Sequence, residues 1–298
     1  MGSVLPLGFT STQFGNVGTQ FNTALPESGA NLASPVSGAI VRWRIQGAKG
    51  GPFFLRVLRP TGTGAYTAVG TSGPATPTGT GLQTFTANLP VRAGDLIGID
   101  PSNPTDEIGV ASVAGASTAF IFPPPFDGST VAPSGVGQGQ EIELSAEVQP
   151  LAEITSLTPA SGSIAGGAKV KITGKNLAGA TAVKFGSIPA TNFTVDSETQ
   201  ITATAPATTV RGKVDVSVTT QGGVSTPVRS GQFTYTACVV PKLKGKTLKA
   251  NRVALGKAGC KLGRVSGPRS KRAKVVRQSA APGKVLPRGA AVNVKLAA

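Results

Sequence analysis

The chain has no histidine, two cysteines, one methionine, one tryptophan and two tyrosines in 298 residues. Without histidine the commonest general base is missing. Neither cysteine has a base beside it, and no nucleophile elbow, phosphate-binding loop or metal motif occurs. Two sulfurs with no histidine or acid nearby cannot complete a zinc site. The sequence therefore points away from an enzyme and implies no cofactor and no metal. No apolar run approaches the roughly 18–20 residues that a membrane-crossing helix needs. Residues 1–7 lack both the basic leader and the hydrophobic core of a signal peptide. Charged residues are sparse at 14%, yet an apolar content of 39% is enough for packed cores, which excludes a disordered chain.

What is present is unevenly placed. Residues 238–298 hold ten lysines, six arginines and no acid, a formal charge of +16. The whole chain also carries +16, so residues 1–237 sum to zero. Both cysteines, Cys238 and Cys260, lie in this cationic end piece. Forty glycines, 23 prolines and short apolar alternations between turn signals suit β-sandwich modules. The expectation is a mainly β, multidomain chain with boundaries near residues 150 and 237.

Residues 1–150 carry six basic and nine acidic side chains. Ile40 to Ile45 alternates, placing Val41, Trp43 and Ile45 on one face and Arg42 and Arg44 on the other. Phe53 to Leu58, Tyr66 to Val69, Leu82 to Leu89 and Asp95 to Ile99 read as further strands, and Glu141 to Val148 as a closing one. About eight strands over this length predict a jelly-roll-like sandwich. Asp95, Asp100, Asp106 and Glu107 cluster in sequence and have the chemistry for calcium or for a hydrolytic carboxylate pair. Their spacing matches no calcium loop, so they read as solvated acids near turns. Trp43 and Tyr66 could form a platform for sugar rings, but the company of Val41 and Ile45 makes Trp43 a core residue.

After Pro150 the composition shifts. Ile154 to Thr158, Val170 to Leu177, Val183 to Gly186, Phe193 to Val195, Gln200 to Ala205, Lys213 to Thr219 and Gly231 to Tyr235 give seven short strands, the pattern of an immunoglobulin-like sandwich. The residues Pro159, Gly162, Gly166, Gly167, Val170, Ile172 and Gly174 resemble the IPT/TIG family in their spacing. That resemblance covers residues 151–237 and implies a spacer in surface or secreted proteins, or a DNA-contacting role in transcription factors. With no basic loop cluster, the spacer role is expected. Asn192-Phe193-Thr194 fits a glycosylation sequon, but Phe193 reads as a buried strand residue.

In residues 238–298, Thr247 is a helix N-cap and Gly259 a C′ stop, with Leu248, Ala254, Leu255 and Ala258 on one face and Asn251 intruding. Strands near Cys260 to Val265, Lys274 to Ser279 and Ala291 to Leu296 give one helix on a three-stranded sheet. Val240-Pro241, Leu243, Gly245 and Leu248, then Gln278-Ser279, Pro282-Gly283 and Val292-Asn293-Val294, resemble a PASTA domain. This implies contact with peptidoglycan fragments and a place in the bacterial envelope, with no catalytic residue to carry over and a single copy where tandem arrays are usual. Cys238 and Cys260 flank the helix. A disulfide between them would add about 3 kcal/mol to so small a module, against the alternative of two buried thiols in a reducing compartment. The bridge implies an oxidising compartment and hence a leader removed upstream.

Sixteen cations with no acid repel one another unless a polyanion relieves them. The densest run, Arg264, Arg269, Lys271, Arg272, Lys274 and Arg277, is the candidate polyanion contact. No aromatic residue occurs in the module, which removes base stacking but leaves duplex-backbone binding open. The leading expectation is a monomeric, secreted or surface-associated bacterial protein attached to peptidoglycan or another anionic wall polymer; the runner-up is a nucleic-acid binder.

Overall fold

A computed structural model describes residues 1–268, 270 and 272–298; two residues of the predicted basic run, Arg269 and Lys271, lie outside the described residues. The protein is mainly β and divides into two compact units, residues 1–151 with 221–223, and residues 152–220 with 224–298.

The first unit holds Thr10–Gln13 (β1), Thr19–Ala24 (β2), Gly38–Ile45 (β3), Phe54–Pro60 (β4), Tyr66–Thr71 (β5), Gln83–Val91 (β6), Leu96–Asp100 (β7), Glu107–Ile121 (β8), Thr130–Val131 (β9), Gly135–Ile142 (β10) and Leu144–Pro150 (β11). One sheet runs β1-β8-β2-β7-β4-β5-β9, with β10 also paired to β8, and the other runs β11-β3-β6. The pairing of strands distant in sequence, such as β2 with β7, makes this the expected jelly-roll-like sandwich. The core between the sheets contains Ile40, Trp43 and Ile45 from β3, Leu55 and Val57 from β4, and Ile97 and Ile99 from β7. Alternation along β3 puts Arg42 and Arg44 outside, on Glu147.

Two expectations change. Eleven strands form where about eight were read, because Gly- and Ala-rich β8 and Gly-rich β10 lack the apolar alternation that marks a strand. Glu141 to Val148 is not one strand: Ile142 ends β10 and Leu144 begins β11. Asn22 fixes that break from both sides, accepting from the Ile142 N–H at 2.8 Å and donating to its carbonyl at 2.9 Å.

The second unit begins with Glu153–Thr158 (β12), Ser161–Ser163 (β13), Lys169–Lys175 (β14), Ala182–Phe185 (β15), Ile188–Pro189 (β16), Asn192–Ser197 (β17), Gln200–Thr204 (β18), Gly212–Thr220 (β19), Gly223–Val224 (β20) and Gln232–Val239 (β21). All seven strands read from the sequence are there, in sheets β12-β14-β18-β17 and β13-β21-β19-β15-β16. Val170, Ile172, Phe185, Ile201, Val218, Phe233 and Tyr235 are buried between them. Phe193 packs against the same core from β17, while Asn192 is exposed.

Strand β21 runs out of this core into a second one. Its Phe233 and Tyr235 belong to the sandwich, whereas Cys238 is buried with Val240, Leu243, Leu255, Val275, Val292, Val294 and Leu296. Helix α1 (Leu248–Lys257) and the strands Lys261–Ser266 (β22), Lys274–Gln278 (β23), Val285–Pro287 (β24) and Ala291–Ala297 (β25) complete the module. Sheet order is β22-β25-β23, with β22 parallel and β23 antiparallel to the central β25, and β24 pairs with β21. The Thr247 hydroxyl accepts from the Ala250 N–H and Gly259 takes φ +71°, so both helix ends form as the sequence implies. Asn251 does not weaken the helix face. It is fully buried, and its amide donates to the Leu243 and Lys246 carbonyls, tying the preceding turn to the helix. Cys238 and Cys260 are joined in a disulfide.

Candidate functional site

Three of the four acids singled out in the first unit, Asp95, Asp100 and Asp106, are buried rather than solvated, which corrects the reading from sequence. Asp95 is 1% exposed and receives Arg59 through two bonds of 2.8 Å, with the Arg92 N–H as a third donor. Asp100 accepts from Arg56 at 2.8 and 2.6 Å and from the Thr19 hydroxyl at 2.6 Å. Burial pushes the Asp106 carboxyl up, but the N–H groups of Gly51, Asn103 and Ser102 outweigh it and hold the group below the usual carboxylate range. Glu107 pairs with Lys49 at the surface. Each acid is thus satisfied separately, and no group of three Asp, Glu or Cys side chains among the described residues stands in a metal-holding arrangement.

The unsatisfied acids of this unit are others. Glu141 and Glu143 are fully buried, Glu27 turns its carboxyl inward, and none of their six oxygens has a well-aligned hydrogen bond. Burial pushes Glu141 up to about 8, helped by the facing Glu27 carboxyl with which it can share a proton. Burial also raises Glu143, against the pull of the Leu7 N–H. From sequence the two read only as part of one alternating strand, Glu141 to Val148; with the strand broken after Ile142, both side chains are buried. Trp43 lies in the core against Phe85, and Tyr66 stands edge-on to Phe21, so neither forms an open platform. The exposed aromatics are Phe122 and Phe126, at 55% and 86%.

The C-terminal module presents its charge outward. Every described lysine and arginine in residues 238–298 is exposed, and none has an acidic partner among the described residues. In β25 the side chains alternate, with Val292, Val294 and Leu296 buried toward α1 and Asn293 and Lys295 on the outer face. Register then decides which cations meet. Arg277 on β23 lies opposite Lys295, and Ser266 on β22 flanks it from the other side. Arg264 is fixed by a 2.8 Å bond from its N–H to the Asn293 Oδ1. Together Arg264, Arg277 and Lys295, with Ser266, Gln278 and Ser279, line an open cavity of about 340 Å³ on the outer sheet face. Ser279 Oγ accepts from the Asn293 N–H, and Gln278 bridges Leu243, Pro241 and Ala280, so the cavity floor is held by its own bonds.

Of the predicted basic run, the structure therefore brings Arg264 and Arg277 together. Arg272 and Lys274 are exposed outside that cavity. Lys295 was missed, although the alternation of residues 291–296 already put it on the face opposite Val294; only its cross-strand neighbour was invisible. Like charges directly opposite on adjacent strands destabilise a sheet, and here no acid offsets them. Chemically, three unpaired cations around one cavity suit a carboxylate or phosphate.

Residues 152–235 match the IPT/TIG domain family, an immunoglobulin-like β-sandwich. No curated protein matches the chain. Among solved structures, the full extracellular region of plexin A4 is similar at 12% identity, over 68% of this chain, with a TM-score of 0.26. The chain spans 32% of that structure's length. No helix among the described residues is long and apolar enough to cross a membrane, and the disulfide is consistent with an extracellular or cell-surface location.

Proposed function

We propose that this is a non-catalytic bacterial protein, secreted or held at the cell surface, whose PASTA-like module at residues 238–298 binds peptidoglycan or another anionic wall polymer. The IPT/TIG domain acts as a spacer, and the sandwich of residues 1–150 is the binding module presented to the outside. One observation carries the reading: Arg264, Arg277 and Lys295 converge on a single cavity in a module that contains no acid. Holding a Lys opposite an Arg costs stability that a bound polyanion returns. The Cys238–Cys260 bridge suits the oxidising space in which wall polymers lie. A single module binds without avidity, so retention depends on the repeating charge of the polymer.

The test is co-sedimentation of the full chain with purified sacculi at physiological salt, beside the variant Arg264→Ala/Arg277→Ala/Lys295→Ala. The apparent affinity should fall at least about tenfold, equivalent to about 1.4 kcal/mol. Unchanged retention removes the anchor reading. Duplex DNA is run in parallel, and tighter retention on DNA than on sacculi replaces the wall polymer with nucleic acid.

A further inference from the structure

A second cavity, of about 680 Å³, lies on the other side of Arg264, between α1 and β22. Pockets of ~300–1,000 Å³ are the size that holds small ligands and short segments. One wall is a single stripe of the helix, Leu248, Arg252 and Gly256, at spacings of four residues. The other is Cys260 and the run Leu262 to Val265. Leu248, Leu262 and Val265 are half-buried and give the groove an apolar floor, while Arg252 and Arg264 are exposed at its rim.

Two features set this groove apart from an ordinary crease. First, β22 is an edge of its sheet, since the order β22-β25-β23 leaves its outer side without a strand among the described residues. Such edges are templates for a further strand unless they are covered. Second, Gly256 has no packing reason to be glycine. Its φ is not positive, and a Cβ built on it would meet nothing within 4 Å. Glycine in a helix is disfavoured relative to alanine, and a residue that breaks a local rule without a steric cause points to function. What Gly256 does is keep the groove open.

We infer that this groove binds an extended acidic peptide segment, which adds to the outer edge of β22, sets alternate apolar side chains on Leu248, Leu262 and Val265, and turns the carboxylates between them to the other sheet face beside Arg264, with Arg252 adding its positive charge to the rim. Backbone pairing to an edge with side-chain pockets beneath it is the way strand addition recognises peptides. The sign of the charge follows from a rim of two arginines in a module with no acid. The inference is independent of the outer-face cavity, which shares Arg264 but none of the helix stripe.

The experiment uses the full chain and a fluorescein-labelled peptide of alternating Glu and Val, read by fluorescence anisotropy. A second peptide of the same sequence has alternate backbone nitrogens methylated, which leaves its charge and removes its pairing. We expect the first peptide to bind at least about tenfold more tightly than the second. Gly256→Trp and Gly256→Leu should each abolish that difference while retaining the thermal transition, because both fill open space. Arg252→Ala should weaken binding of the first peptide, whereas Arg277→Ala/Lys295→Ala should leave it within about twofold. Equal binding of the two peptides, or binding unaffected in both folded Gly256 variants, overturns the inference. Sacculus retention of the same variants is scored separately, so unchanged wall binding in Arg277→Ala/Lys295→Ala, with peptide binding by the parent intact, sinks the outer-face proposal alone.

Discussion

The first unit and the C-terminal module handle charge in opposite ways. In the first unit, Asp95 and Asp100 are buried, each closed by an arginine from β4, while Glu141 and Glu143 are buried with no cation at all. In the last 61 residues all formal charge is positive and every described cation faces solvent. A paired buried charge serves the fold; an unpaired exposed one is free to serve a ligand. The net charge of zero over residues 1–237 concealed this, because it averages charges locked into structure with charges at the surface.

The largest test of that contrast is to break a locked pair. Arg56 is 6% exposed, and Asp100→Ala would leave it only Asp127, whose side chain is 52% exposed. Removing one partner of a buried pair costs about 3–5 kcal/mol. Trp43, the single tryptophan, reports the first unit alone, so its fluorescence transition should drop by many degrees. Lys49→Ala, which removes a surface pair, should cost no more than about 1 kcal/mol. Equal shifts for the two variants would mean that burial does not distinguish them.

Next in size is the staple of the other region. Cys238 and Cys260 are 22 residues apart, and opening that loop costs about 3 kcal/mol in the chain-entropy model. In Cys238→Ala/Cys260→Ala, proteolysis within residues 238–298 should accelerate while the Trp43 transition stays where it is. A shift of the Trp43 transition would show that the bridge acts beyond its module.

The unpaired buried acids give a pH test. The Glu141 carboxyl rises from about 4.5 to about 8 on folding, so the native state keeps a proton that the unfolded chain releases. Its contribution is therefore complete below pH ~4.5 and disappears as pH climbs to about 8. Glu141→Gln, which is neutral throughout, should raise the Trp43 transition at pH 8 by the equivalent of about 2 kcal/mol and flatten its fall between pH 5 and 8. An unchanged slope would mean that Glu141 is ionised in the native state.

How much of this was legible follows from range. Local signals were readable: the Thr247 cap, the Gly259 stop, the seven strands of the IPT/TIG domain, and a bridge across one helix all rest on nearby residues. Partnerships across many residues were not. Asp100 reads as a loop acid until β4 and β7 pair and bring Arg56, 44 positions away, onto it. The strand break at Ile142 depends on Asn22, 120 positions away, so Glu141 to Val148 shows clean alternation and still does not form one strand. The cationic cavity had the same obstacle. Arg264 and Arg277 stood in a conspicuous run, but Lys295 joins them only through sheet register.

The smallest expected effect on stability is also the sharpest on meaning. Lys295→Glu replaces the middle cation of the outer face by an acid directly opposite Arg277. A like-charged cross-strand pair then becomes an opposite-charged one, and the change should stabilise the module by a few tenths to about 1 kcal/mol. Solvent exposure keeps the gain small. If the face exists to bind an anion, this more stable variant must retain wall polymer less well than the parent, and the loss should shrink as salt rises. Stability and binding moving in opposite directions would mark Lys295 as a residue kept for its ligand. Parallel movement would mean that the outer face is only a solvated surface and that the charge has its use elsewhere in the module.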